Sequence, residues 1–234
     1  MPMNKTGLIT GASSGIGLSL AELMTKRDYD VTGVARDFSN TQHSGMHTEC
    51  LDLSNVDQLA TKLTQTKVFN DAFDVLVLNA GYGQFGGLEQ FSHQQIRQLV
   101  DTNLVSNLFL IKHFLPKMKA RGQGDIVIVG SESALQGAKA GAVYCATKFA
   151  LRGLAQSLRC DCSTSNVRVI LVNPGPVESN FFDDLAFQPQ AGAEFVIEPE
   201  HIANLILNAL SQPRNVVCDE INVQPLKRSF IKKG

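Results

Sequence analysis

Runs of consecutive apolar residues alternate along the whole chain with longer stretches whose apolar positions recur every three or four residues. The runs Lys5–Thr10, Asp30–Ala35, His47–Leu51, Asp74–Leu78, Asp125–Gly130, Val167–Val172 and Asn215–Val223 are mostly continuous in Val, Ile and Leu rather than alternating. Continuous runs of that length suit strands covered on both faces, as in a parallel sheet. Between them the helical period predicts helices over Ile16–Arg27, Asn55–Thr66, Ser92–Ala120, Ala142–Thr164 and Pro199–Leu210. Strand and helix in such alternation make βαβ units. The expected architecture is a single α/β domain over residues 1–234, a doubly wound, Rossmann-type, seven-stranded parallel sheet with helices on both faces.

One segment breaks the rhythm. Ser179–Glu198 carries Phe181, Phe182, Leu185 and Phe187 among Gln, Gly and Pro residues and reads as a short lid over a site. The competing reading is a surface excursion whose aromatics finish the core.

Composition narrows the function classes. A chain of 234 residues buries a full-size core, and 21 basic against 22 acidic residues leave a net charge of −1. Without a basic field, no nucleic-acid partner is expected. No run approaches the ~20 apolar residues of a membrane helix, and the Met1–Thr6 segment is too short and polar for a signal peptide. A cytoplasmic protein without a membrane partner is the expectation. The five cysteines are odd in number and scattered, which fits reduced thiols. Cys160 and Cys162 lack a second pair, and none of His43, His47, His93, His113 and His201 has a partner four residues away, so no metal site is expected. The basic segment Lys227–Lys233 reads as a solvated tail or subunit contact.

The chemistry starts at Gly11, Ser13, Ser14, Gly15, Ile16 and Gly17, directly after the first strand and opening the first helix. Gly11 can turn tightly out of the strand, Gly15 lets the backbone approach a pyrophosphate, and Gly17 lets the helix pack closely. The N–H groups and dipole of that helix start favour an anion, so the loop is a candidate dinucleotide cradle.

Its Gly-x-x-x-Gly-x-Gly spacing resembles the classical branch of the short-chain dehydrogenase/reductase family. The likeness extends to Asn79-Ala80-Gly81 after the fourth strand, Asn103 in the next helix, Ser131 at the end of the fifth strand and Tyr144 with Lys148 beyond it. Asn173-Pro174-Gly175 closes the series. The resemblance implies that Asp52 and Leu53 flank the adenine. Asn79, Ala80 and Gly81 would line the ribose and diphosphate, and Pro174, Gly175, Val177 and Ser179 the nicotinamide carboxamide. An acid about 20 residues past the glycines reads a ribose hydroxyl, an arginine a 2′-phosphate. Here Arg36 follows Ala35, which favours NADP, while the adjacent Asp37 keeps NAD as the weaker alternative.

Tyr144 and Lys148 lie four apart and so share a helix face. A nearby ammonium can lower a phenol's pKa by roughly 1–3 units, toward the range of a useful acid or base. Ser131 would hydrogen-bond the substrate oxygen and orient it toward Tyr144; Ser133 is the competing hydroxyl, and Glu132 between them reads as solvated. The resemblance implies that Lys148 also bonds the nicotinamide ribose and that Asn103 bends its helix and holds a water that resupplies protons. The expected function is NADP-dependent interconversion of a small alcohol and its carbonyl. The alternative is a non-catalytic NAD(P)-sensing regulator. Tyr82, Gln84 and Phe85 are candidate pocket-edge residues. The helices Ser92–Ala120 and Ala142–Thr164 are apolar on more than one face, and by resemblance such helices pair between subunits, predicting a homodimer or homotetramer.

Overall fold

A computed structural model describes residues 4–41 and 45–233. His43 and the first three residues of the amino-terminal segment lie outside that range. The strands are β1 (Thr6–Thr10), β2 (Asp30–Ala35), β3 (His47–Cys50), β4 (Val75–Leu78), β5 (Gly124–Val129), β6 (Val167–Pro174), β7 (Phe187–Pro189), β8 (Glu220–Val223) and β9 (Phe230–Lys232). The helices are α1 (Gly15–Thr25), α2 (Val56–Gln65), α3 (His93–Val100), α4 (Ser106–Arg121), α5 (Ala142–Cys162) and α6 (Pro199–Leu210). Seven strands form one parallel sheet in the order β3-β2-β1-β4-β5-β6-β8. The doubly wound fold expected from the sequence is therefore present.

The continuous apolar runs are explained by the two faces they serve. Leu8, Leu76, Leu78, Ile126, Ile128, Val169 and Leu171 pack with side chains of α2, α4 and α5. Their immediate neighbours Ile9, Val75, Val77, Val127, Val129, Ile170 and Val172 pack with α1 and α6 on the opposite face. Period two and burial on both sides together leave no polar positions to alternate.

Three elements depart from expectation. The predicted helix Ser92–Ala120 is interrupted by a π turn over Asp101–Val105, where the Ser106 amide bonds the Asp101 carbonyl five residues back. The last sheet strand is shorter than predicted. Arg168, 4% exposed, ties the carbonyls of Leu210, Gln212 and Val216 to the lower end of the sheet, holding 211–219 outside the ladder. Asp125 accepts from Arg168 at 2.7 and 3.0 Å and from Arg214 at 2.6 Å, completing this clamp. Finally, the basic tail is not simply solvated: β9 pairs antiparallel with β7 inside the predicted lid, Arg228 meets Glu132 at 3.1 Å and Lys227 meets Glu194 at 3.6 Å. Glu132 is correspondingly a mostly buried ion-pair partner rather than a solvated residue. Among the described residues, no helix is long and apolar enough to cross a membrane.

Candidate active site

The strand order reverses between β1 and β4, and a crevice at the carboxyl ends of strands is the usual ligand position in such sheets. The loops leaving β1, β4 and β5 carry the glycines, Asn79–Gly81 and Ser131 to that one edge.

Gly11 and Gly15 have φ of +66° and +54°, in the left-handed region that a side chain disfavours. A Cβ on Gly17 would stand 2.2 Å from the Gly11 carbonyl oxygen and 2.6 Å from the Asn79 side-chain nitrogen, which forces a glycine where α1 meets the turn. Thr10, a residue sequence reasoning passed over, welds this loop to β4. Its buried hydroxyl donates to the Val77 carbonyl at 3.3 Å and accepts from the amides of Asn79 and Ala80 at 3.0 and 3.1 Å. The Asn79 amide nitrogen donates to the carbonyls of Thr10 and Gly11 at 3.0 and 3.2 Å, so this side chain shapes the glycine turn. A buried hydroxyl ending a central strand was the available signal for Thr10.

At the end of β2, Ala35 is buried and Arg36 exposed, with the Arg36 charge close enough to act on the Tyr82 phenol. Asp37 is committed elsewhere. Its carboxylate accepts from the Ser39 amide and hydroxyl at 2.8 and 2.7 Å, which holds its pKa below the usual carboxylate value. Thr41 donates to the Ser13 carbonyl at 2.9 Å, drawing the loop after β2 onto the glycine turn. Asp52 is exposed and accepts from Ser54, whereas the Leu53 side chain is buried in the core. On the far side, Gly175 bonds the Val223 carbonyl and Val177 bridges to Ile197. Ser179 closes over the glycine turn, 3.2 Å from where a Gly15 Cβ would stand. Ile16 packs against the α1–α6 side of the core.

Helix α5 presents Tyr144 and Lys148 on one face, both buried, and the Ser131 hydroxyl lies close enough to the Tyr144 phenol to favour its ionised form. Ser131 also accepts from the Ser133 amide at 3.1 Å, which engages the loop after β5 and fixes its hydroxyl. The Lys148 ammonium stands 5.8 Å from the Tyr144 ring centroid and donates to the Val129 carbonyl at 3.2 Å. Asn103 sits in the π turn with its side-chain oxygen and nitrogen bonded to the Tyr82 amide and carbonyl, at 3.1 and 2.9 Å, and its nitrogen 3.3 Å from the Thr147 hydroxyl. Gly81 lies between them, where a Cβ would come within 3.1 Å of Asn103 and 3.7 Å of the Lys148 nitrogen. Thr147 was missed by sequence reasoning although it follows Tyr144 by three residues.

The electrostatics differ from the simple expectation of a lysine-lowered phenol. Burial pushes Tyr144 up to about 12, more than the neighbouring Ser131 hydroxyl offsets, and burial likewise draws Lys148 down to about 8. The physical reason is a cover of rings: Phe85 stands 5.2 Å and Phe181 5.8 Å from Tyr144, centroid to centroid. A phenol held at that value keeps its proton at neutral pH and can donate it.

A model of the short chain dehydrogenase family matches residues 5–189, most of the chain. The chain belongs to the short-chain dehydrogenase/reductase family. This dehydrogenase is 31% identical to human 17-beta-hydroxysteroid dehydrogenase type 1, over 88% of its own length and 74% of the relative's. It is 37% identical to human retinol dehydrogenase 8 over 79% of its length, spanning 62% of that relative. Among solved structures, a short chain dehydrogenase/reductase family protein superposes with a TM-score of 0.81 at 31% identity, covering 95% of this chain and 97% of the other. An alcohol dehydrogenase from the archaeon Thermococcus sibiricus, complexed with 5-hydroxy-NADP, superposes with a TM-score of 0.82 at 25% identity, covering 96% and 98%. Like its family, the enzyme is an NAD(P)-dependent oxidoreductase acting between hydroxyl and carbonyl groups.

Proposed function

We propose that the enzyme interconverts a small alcohol and its carbonyl with NADP(H) as the preferred cofactor. The observation that carries this reading is the convergence of Ser131, Tyr144 and Lys148 at the sheet edge beside a glycine turn that no side chain could occupy. The residues fit a dinucleotide. Gly11, Ser13, Ser14, Gly15, Ile16 and Gly17 would cradle its diphosphate, with Asn79, Ala80 and Gly81 on one side and Pro174, Gly175, Val177 and Ser179 on the other. Asp52 and the Leu53 backbone would border the adenine. Exposed Arg36, free of an acid at position 35, suits a 2′-phosphate, and the engagement of Asp37 by Ser39 weakens the case for NAD.

The nicotinamide group, when bound, supplies or accepts the hydride. Ser131 orients the substrate oxygen, and Tyr144 donates a proton to it during reduction or removes one during oxidation. Lys148 holds the ribose and supplies positive charge beside the phenol. Asn103, in its π turn, positions the Tyr82 backbone and Thr147, and through them the base of the site. The lid over 179–198 covers the substrate. An apolar groove of about 350 Å³ between α3 and α5, lined by residues including Ile96, Val100, Leu104 and Val143, suits a second copy in a homodimer or homotetramer.

The test compares NADPH with NADH absorbance change across aldehydes, ketones and hydroxy acids. Tyr144→Phe should lower turnover at least ~100-fold with nucleotide binding, read by nicotinamide fluorescence, retained. Arg36→Ala should raise the KM for NADPH and leave that for NADH unchanged. Undiminished turnover in Tyr144→Phe would refute the mechanism, and an unaltered NADPH KM in Arg36→Ala the cofactor assignment.

A further inference from the structure

Six aromatic rings are linked in two paths from the carboxy-terminal strand to the buried phenol. Phe230 of β9 meets Phe187 at 5.6 Å, Phe187 meets Phe85 at 5.1 Å, and Phe85 meets Tyr144 at 5.2 Å. In parallel, Phe230 meets Phe182 at 6.3 Å, Phe182 meets Phe181 at 5.1 Å, and Phe181 meets Tyr144 at 5.8 Å. We infer that Phe230 is a specificity-determining positioning residue: through Phe187 and Phe182 it holds Phe85 and Phe181 over Tyr144, and the cage so formed takes an alcohol or carbonyl borne on an apolar ring. The inference rests on the reading of Tyr144 as the proton-transfer residue.

The backbone makes the tail and the lid one unit. Phe187, Gln188 and Pro189 pair with Lys232, Ile231 and Phe230, and the Gln190 and Lys233 amides extend the ribbon to the carbonyls of Ser229 and Ala186 at 3.0 Å each. The Lys233 ammonium fastens the other limb of the lid, donating to the carbonyls of Phe182 and Asp183 at 2.5 and 2.8 Å. A two-stranded ribbon of three-residue strands has little stability of its own. Its persistence depends on the rings packed beneath it, so loosening Phe230 loosens both paths.

The cage also defines what can enter. Tyr144 is 5% exposed, so a substrate oxygen reaches the phenol only when Phe85 or Phe181 gives way. A flat apolar body in that place restores the offset and edge contacts the displaced ring had made. The rings offer no charge to a carboxylate or phosphate. Gly83 provides the room on the opposite side, since a Cβ there would fall 2.4 Å from the tip of Phe181.

The test uses the full chain with NADPH and two ketones, acetophenone and pyruvate, in wild type, Phe230→Ala and Phe230→Tyr. Wild type should favour acetophenone at least tenfold in kcat/KM. Phe230→Ala should raise the acetophenone KM at least fivefold with kcat changed less than twofold, and Phe230→Tyr should restore it. Hydrogen exchange of amides 180–188 should quicken at least tenfold in Phe230→Ala alone. A preference for pyruvate, an unaltered acetophenone KM in Phe230→Ala, or unchanged exchange across 180–188 would overturn the inference. Tyr144→Phe separates the two levels. If it abolishes turnover while Phe230→Ala matches wild type, the inference falls and the proton-transfer reading stands; if it leaves turnover intact, both fall.

Discussion

Lys148 should make the protein less stable, and the cost should fade with rising pH. The residue is 6% exposed, and burial moves its pKa from 10.5 in the unfolded chain to about 8 in the folded one. That difference corresponds to about 3 kcal/mol of destabilisation at pH 7. Replacing Lys148 with Met keeps the length and apolar stem while removing the charge, and forfeits the hydrogen bond to the Val129 carbonyl, roughly 1 kcal/mol. The Lys148→Met enzyme should therefore be inactive yet about 2 kcal/mol more stable at pH 7. Because the folded state releases its proton near pH 8 and the unfolded state retains it to 10.5, the unfolded chain binds more protons in that window, and wild-type stability rises with pH. Between pH 7 and 9.5 this contribution recovers about 2 kcal/mol in wild type and nothing in the variant. The raised phenol of Tyr144 acts in the opposite sense but only above pH 10, and equally in both proteins. Urea denaturation of the pair at pH 7 and 9.5 reads the difference directly. Parallel stability profiles, or a variant whose advantage grows with pH, would refute the assignment of a buried, depressed lysine.

Two further outcomes probe the ends of the sheet. Gly17→Ala places a Cβ 2.2 Å from a backbone oxygen that cannot move without breaking the turn, so the melting temperature should drop by about 5–10 °C and NADPH binding weaken at least tenfold by fluorescence titration. Asp125→Ala leaves the Arg168 guanidinium buried without its carboxylate and should cost about 3–5 kcal/mol in denaturant unfolding, while steady-state kinetics at 25 °C stay unchanged because the clamp lies at the opposite sheet end.

Most of the sheet was legible because each strand of the core must be apolar on both faces, and that demand writes itself as an uninterrupted run such as Val75–Leu78 or Val167–Val172. The glycine turn was legible for a related reason: three glycines at fixed intervals mark where the backbone itself must come close. Convergence of Ser131 and Tyr144 could be anticipated from a strand end and a helix start thirteen residues apart. What escaped were interactions that depend on distant chain segments. Nothing local in Phe230–Lys232, a short basic stretch, announces pairing with Phe187–Pro189 more than forty residues earlier. The beginning of the predicted strand from Asn215 was lost to Arg168 reaching across from β6, and the phenol's raised pKa to rings from two separate loops. The positive charge beside Tyr144 was read correctly, yet it gave the wrong direction for the phenol's pKa, because desolvation is set by what lies above the site.

The π turn at Asp101–Val105 amounts to one residue more than an uninterrupted helix would hold. Each residue of an α-helix advances the chain by about 100° of rotation. Upstream of the turn, Ile96 and Leu99 face the aromatic side of the site, and downstream Leu110, Phe114 and Met118 face the core beneath the sheet. In a regular helix an added residue would swing one half against the other by that angle and expose one set of apolar side chains, whereas the wide turn absorbs it locally and both halves keep their faces. The extra residue therefore asks for no re-patterning of either half, and it sets Asn103 at the one point of this helix where the backbone is widened.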